Sequence, residues 1–188
     1  MDTEEIERRV EANAAIGIAG YQRAFYHISI QYSVNASCES FKRYDTALLN
    51  DHPDRALIVN PIHDALGHAA AVSRYFWHYS GDRLYRKLHK ARAKALREMY
   101  KLDSSSALNN RDLRNTLEHF DERLDRYLLE EVAGVHFPMP SVGTYVESSS
   151  NNVNRIYKMV DPENEIFVIF DKAYDFGKIR RAVDALKK

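Results

Sequence analysis

Apolar and small residues recur at Ile6, Val10, Ala14, Gly17, Tyr21, Ala24 and Ile28, a stripe of helical period. The stripe predicts a long first helix, capped by Thr3, with Glu4 and Glu5 at its positive end and its close near Ser33. Gly17 and Gly20 disfavour a helix on propensity, so their expected use is to let another helix approach closely. A shorter helix is expected over 37–49, then a turn cluster, Asn50-Asp51-His52-Pro53-Asp54. Asn60-Pro61 has the form of an N-cap with proline at the first helical position. The helix it opens carries Ile62, Leu66, Ala69, Val72, Phe76 and Trp77 towards a core. Ser80-Gly81 is expected to stop it, and Asp82 to cap the next helix, over 83–101.

A polar connector over 103–110 follows, in which Asn109 and Asp112 resemble a capping box with Asp in place of Glu. Leu113, Leu117, Phe120, Leu124 and Leu128 then alternate in steps of four and three, predicting one helix that ends near Val132-Ala133-Gly134. Pro138, Pro140, Gly143 and the run from Ser148 to Asn152 mark residues 135–153 as a long loop. Segments 156–160 and 165–170 flank Asp161-Pro162-Glu163-Asn164 as a β-hairpin. Asp175 is placed to cap a last helix that buries Ile179, Val183 and Leu186. The predicted fold is mainly α, an up-and-down bundle of four to five helices over 1–134. Residues 135–188 add a loop, a small C-terminal β-hairpin and a helix packed on that bundle.

Composition narrows the classes. Apolar residues make up 45% and charged residues 29% of the 188, a globular balance with enough apolar content for a core. The 27 basic and 27 acidic residues cancel, so bulk charge gives no support for non-specific nucleic-acid binding. Any anion must be held locally. The basic run over 83–101, with eight Lys and Arg against Glu98, is one such concentration. A solvated cationic face is its plainer reading, and a phosphate-facing surface its functional one. The single cysteine, Cys38, excludes an intrachain disulfide and fits a reducing cytoplasm, where a core role is expected for it. The start, Asp2-Thr3-Glu4-Glu5, lacks the basic region of a signal peptide. Together these predict a cytoplasmic protein that spans no membrane.

The chemistry concentrates in Arg111-Asp112-Leu113-Arg114-Asn115-Thr116-Leu117-Glu118-His119-Phe120-Asp121. At about 100° per residue, Asn115 and His119 share a face roughly opposite the leucine stripe. Arg114 lies roughly 140° from His119, within reach of a long side chain bending back over the turn. The Asn–His face is therefore expected to meet solvent or a second interface. An ordinary surface ion pair between Arg114 and Glu118 is the structural alternative.

This run resembles the HEPN superfamily, helical bundles that carry an Arg, a following polar residue and a His four to six positions after the Arg. The matching residues are Arg114, Asn115 and His119, and the wider run through Asp125 looks like a bacterial subgroup. The resemblance covers this helix and extends to the bundle from residue 3 to 133. It implies a metal-independent endoribonuclease without cofactor, acting as a homodimer in which two motifs meet. His119 would move protons to and from the 2′-hydroxyl and the leaving oxygen, as an imidazole can near neutral pH. Arg114 would stabilise charge building on the phosphate, and Asn115 would orient the histidine or hold a phosphate oxygen. RNA would be the substrate, and an antitoxin or another protein a partner, in a toxin–antitoxin or phage-defence pair. A non-catalytic HEPN module binding a protein or nucleotide is the alternative, and a purely structural helical dimer a third.

Other constellations carry less. Among 8 histidines, Asp64 and His68 share a helix face with His63 nearby, but an acid in a proline-led first turn explains them more simply than a metal. No histidine has Glu three residues before it, so the di-iron helix signature is missing. The clustered aromatics Phe25, Tyr26, Tyr75, Phe76, Trp77 and Tyr79 are expected mainly in the core.

Overall fold

The computed structural model describes residues 2–51, 54–78, 83–130, 135–145 and 154–187. Within them the chain is mainly helical, with small sheets and a last helix at its C-terminal end. Helix α1 (Thr3–Ile16) is capped by Asp2, whose carboxylate accepts from the Glu5 amide at 2.8 Å, one residue before the expected cap. It stops at Gly17, whose φ of 81° is a backbone state that side chains disfavour. Nothing lies within 4 Å of where a Cβ at Gly17 or Gly20 would stand. Gly17 therefore breaks the predicted first helix, Gly20 opens the next, and neither admits a close neighbour.

Helix α2 (Gly20–Leu48) runs straight through the gap expected between Ser33 and Ser37. Tertiary packing explains this: Ser33, Ser37 and Ser40 are buried, and Ser37 donates to the Ala65 carbonyl of the neighbouring helix at 2.8 Å. That neighbour, α3 (Arg55–Phe76), starts at Asp54, whose side chain accepts from the Ala56 amide at 2.9 Å. Pro61 thus sits inside α3 and not at its first position, and its buried ring offsets the donor the helix loses there. The expected stop at Ser80-Gly81 and cap at Asp82 lie outside the described residues, as do His52 and Pro53 of the turn cluster.

Helix α4 (Arg86–Tyr100) matches the basic segment. Asn110, not Asn109, caps α5 (Arg111–Glu118), accepting from the Leu113 amide at 2.9 Å. The predicted single helix is two, because the backbone departs from helix at His119 and resumes as α6 (Phe120–Leu129). The break lets Phe120 and Tyr127 meet Phe170, at ring separations of 4.9 and 5.3 Å. Tyr127 takes the buried position expected for Leu128, which is 58% exposed. The end near Val132-Ala133-Gly134 lies outside the described residues.

The segment expected as a loop contains β1 (Val135–Phe137) and β2 (Ser141–Val142), while Ser148 to Asn152 lies outside the described residues. Then come β3 (Asn154–Ile156), β4 (Lys158–Asp161), β5 (Ile166–Ile169), β6 (Lys172–Asp175) and α7 (Phe176–Asp184). The expected hairpin exists, with Met159 opposite Val168 and Val160 opposite Phe167. It is the centre of a four-stranded sheet ordered β2-β4-β5-β6, with β2 parallel to β4. Strands β1 and β3 pair in parallel as a separate ribbon. Asp161 is buried beneath the hairpin turn. Burial would raise its carboxyl, but hydrogen bonds from the Asn164 side chain and from the Tyr145 and Asn164 amides hold it below the usual range.

Asp175 caps α7 as expected, and Ile179, Val183 and Leu186 are buried. One apolar cluster joins Val34, Phe41, Ile62 and Leu66 of α2 and α3 to Phe167, Phe176 and Val183. Arg180 clamps α7 to α2 through Asp45, with two hydrogen bonds of 2.8 and 2.5 Å, and lies over the Phe41 ring.

Candidate functional site

The C-terminal end of α3 organises the site. The last carbonyls of a helix lack partners inside it and carry its negative pole. Three arginines from later in the chain answer them. Arg92 of α4 donates to the Arg74 carbonyl at 3.3 Å, Arg97 to the Phe76 carbonyl, and Arg114 of α5 to the Trp77 carbonyl at 2.6 Å. Arg92 also lies over the rings of Tyr26 and Tyr75. The basic character of α4 is thus partly a clamp on its neighbour. Lys87 of the same helix pairs with Glu11 of α1 at 2.5 Å.

Arg114 is 5% exposed, and its burial lowers the pKa of the guanidinium below the usual value. The surface pair with Glu118 weighed as the structural alternative does not form; Glu118 bonds Arg74 at 3.3 Å. Asn115 is half-buried. His119 keeps 56% of its side chain exposed, with its Nδ1 3.5 Å from the Glu122 carboxylate. Its backbone amide donates to the Asn115 carbonyl at 3.1 Å, so the helical register linking the two holds up to the break.

These residues open on a cleft of about 390 Å³. Arg114, Asn115, Glu118 and His119 form one wall, and Arg74, His78, His89 and Arg92 the other. Among the described residues, the cleft therefore gathers three imidazoles and three guanidiniums around one carboxylate. The His78 and His89 rings stand 6.0 Å apart, and His89 stacks on Tyr85 at 6.2 Å. Burial, then the nearby His89, Arg92, Lys90 and Arg97, lowers the His78 pKa and favours its neutral ring. A larger groove of about 680 Å³ runs between α1 and the start of α4, but Glu4, Glu7 and Glu11 face Arg83, Arg86 and Lys87 there. It holds opposing charges and no histidine.

Arg74, His78, His89 and Arg92 escape a sequence reading because they come from α4 and from the end of α3 and the residue just past its C-cap, with no common motif. The available signal was the basic run with its embedded His89, together with His78 just past a helix end. Helix α5 is itself held by the C-terminal sheet. The Tyr174 hydroxyl of β6 donates to Asp112 at 2.8 Å and lies 3.2 Å from the buried Thr116 hydroxyl, while Lys172 reaches Asp112 at 3.1 Å. Burial would raise the Asp112 carboxyl, but these hydrogen bonds and nearby Arg123 hold it below its usual range.

Of the residues weighed for a metal, Asp64 pairs with Arg43 at 3.0 Å. His63 is turned between Phe120 and Phe167, and burial lowers its pKa to about 4. Among the described residues no three His, Cys, Asp or Glu side chains gather as metal ligands, and no helix is long and apolar enough to cross a membrane. Cys38 is buried, with its thiol 3.3 Å from Asp184.

Fold and site together define a mainly helical protein whose C-terminal sheet braces a basic, histidine-rich cleft. No family model, curated protein or solved structure matches the chain.

Proposed function

We propose that this protein is a HEPN-type, metal-independent endoribonuclease that works as a homodimer, with the cleft over Arg114, Asn115 and His119 as its active site. The carrying observation is convergence. The motif residues line the same cleft as two more histidines and two more arginines. Acid–base cleavage of a phosphodiester needs that chemistry: imidazoles to move protons and guanidiniums to meet phosphate oxygens.

In the proposed reaction the RNA 2′-oxygen bonds to the adjacent phosphorus as the bond from phosphorus to O5′ breaks. One imidazole accepts the 2′-hydroxyl proton and another delivers a proton to O5′, leaving a cyclic phosphate and a 5′-hydroxyl. His119, the exposed imidazole, serves one of these roles. His78 and His89 offer the other within the same chain. Arg74, with 56% of its side chain exposed, is the more accessible phosphate ligand, though it must give up Glu118 to act as one; Arg114 is buried on the Trp77 carbonyl. A toxin or phage-defence role, with an antitoxin as partner, is the proposed setting.

The test is RNA cleavage by wild type and His119→Ala, each with and without EDTA. Wild-type cleavage should persist in EDTA, and the substitution should lower the rate by about 10²–10⁴. Cleavage that survives His119→Ala, or that EDTA abolishes, would contradict the mechanism. The second reading is a non-catalytic module that binds a nucleotide or protein. The burial of Arg114 on a backbone carbonyl favours it, and nucleotide affinity at the cleft without RNA turnover would select it.

A further inference from the structure

The first half of α2 carries an uncovered apolar seam. Tyr21, Phe25, Ile28 and Tyr32 follow steps of four, three and four, the spacing of a coiled-coil seam, and are 69%, 70%, 65% and 73% exposed. The same steps continued along α2 meet Asn35, Glu39, Lys42 and Thr46, all exposed. One face of one helix thus shows a solvated seam beside an apolar one. Contiguous apolar patches beyond a few hundred Å² mark interaction sites. None of these residues lines the cleft.

We infer that this seam is the docking face for a second copy of the chain, through an antiparallel contact of α2 with its counterpart. Its positions are symmetric about a point between Tyr26 and His27. A two-fold axis there sets Tyr21 against the partner's Tyr32 and Phe25 against the partner's Ile28, so the patch is complementary to itself, as an isologous interface requires. Exposed Ala24 and the partner's Ser29 meet by the same symmetry, small side chains beside the crossing. The seam holds no charge, and the chain's formal net charge of +0 sets up no repulsion between copies. The exposed apolar area of the seam's four side chains comes to on the order of 500 Å², over half of the roughly 800 Å² each partner buries in a standard interface. This face would serve the homodimer of the proposed function; it lies apart from the cleft, so the two motifs would not meet across it as the resemblance implies, and its test does not depend on RNA cleavage.

The experiment is light scattering after gel filtration, and sedimentation, of the full chain at micromolar concentration. The expected mass is twice the 21.8 kDa of one chain. Phe25→Glu and, separately, Tyr32→Lys should halve it while leaving the far-ultraviolet circular dichroism unchanged. The register is read by mixing Phe25→Cys chains with Ile28→Cys chains: cross-linking between the two variants should outrun cross-linking of either with itself. A monomeric wild type, a dimer indifferent to both charged variants, or self-cross-linking that dominates would each overturn the inference.

Discussion

His63 shows what burial does to a single residue. Its ring stands edge-on to Phe120 and Phe167, and its Nδ1 is buried without a hydrogen-bond partner. An apolar setting disfavours the charged ring, and Lys158 adds to that, so the pKa falls from 6.5 to about 4. The sign of the effect on stability follows. Above pH 6.5 the ring is neutral in both folded and unfolded chains, and its contribution is whole. Between 6.5 and about 4 the unfolded chain binds a proton that the folded chain refuses, so stability falls. At pH 4.5 the loss should be about 2–3 kcal/mol, and His63→Leu should remove most of it. Urea midpoints of both proteins at pH 7 and pH 4.5 check this; equal losses would remove His63 from the account. Asp112 and Asp161, both held below their usual range, add their own loss at lower pH in wild type and variant alike.

Between elements, the decisive contact is β6 on α5. Helix α5 has only eight residues, too few to hold its shape alone. Its first turn is tied by Asp112 to Tyr174 and Lys172, and its middle by the contact of Thr116 with Tyr174. Its buried arginine clamps the end of α3. Asn115 and His119 are therefore positioned by a strand some 60 residues later in the chain. Tyr174→Phe keeps the ring and removes the hydroxyl that Asp112 and Thr116 share. The expected cost is about 1–3 kcal/mol, with faster amide exchange across α5 than in α2. Unchanged exchange in α5 would show that the leucine contacts alone hold it.

Across the whole molecule, the C-terminal segment completes the core. Phe176 contacts Phe41 and Tyr44 of α2, and the one apolar cluster spans both parts of the chain. A chain cut after residue 134 would uncover Phe41, Ile62 and Leu66 and lose the Arg180 clamp on Asp45. It should show no cooperative thermal transition, as read by circular dichroism and calorimetry. A sharp transition in the cut chain would mark residues 1–134 as a unit that folds alone.

Local rules settled the elements that depend on neighbours in sequence. The helix over Leu113 and Leu117, the Asp161-Pro162-Glu163-Asn164 turn and the Asp175 cap concern groups within a few residues of each other, and all were legible. So was the outward face of His119, because a helix facing its leucines to a core must turn the opposite side away. Tertiary structure alone decided the rest. It carried α2 through its serines, split the motif helix at His119 so that Phe120 and Tyr127 reach the sheet, and buried Arg114 on the end of α3. It also drew His78, His89, Arg74 and Arg92 to the motif. The physical reason is the same in each case. A carbonyl left open at a helix end, or an aromatic ring needing cover, is satisfied by whatever side chain the fold brings near, and periodicity along one helix carries no information about that partner.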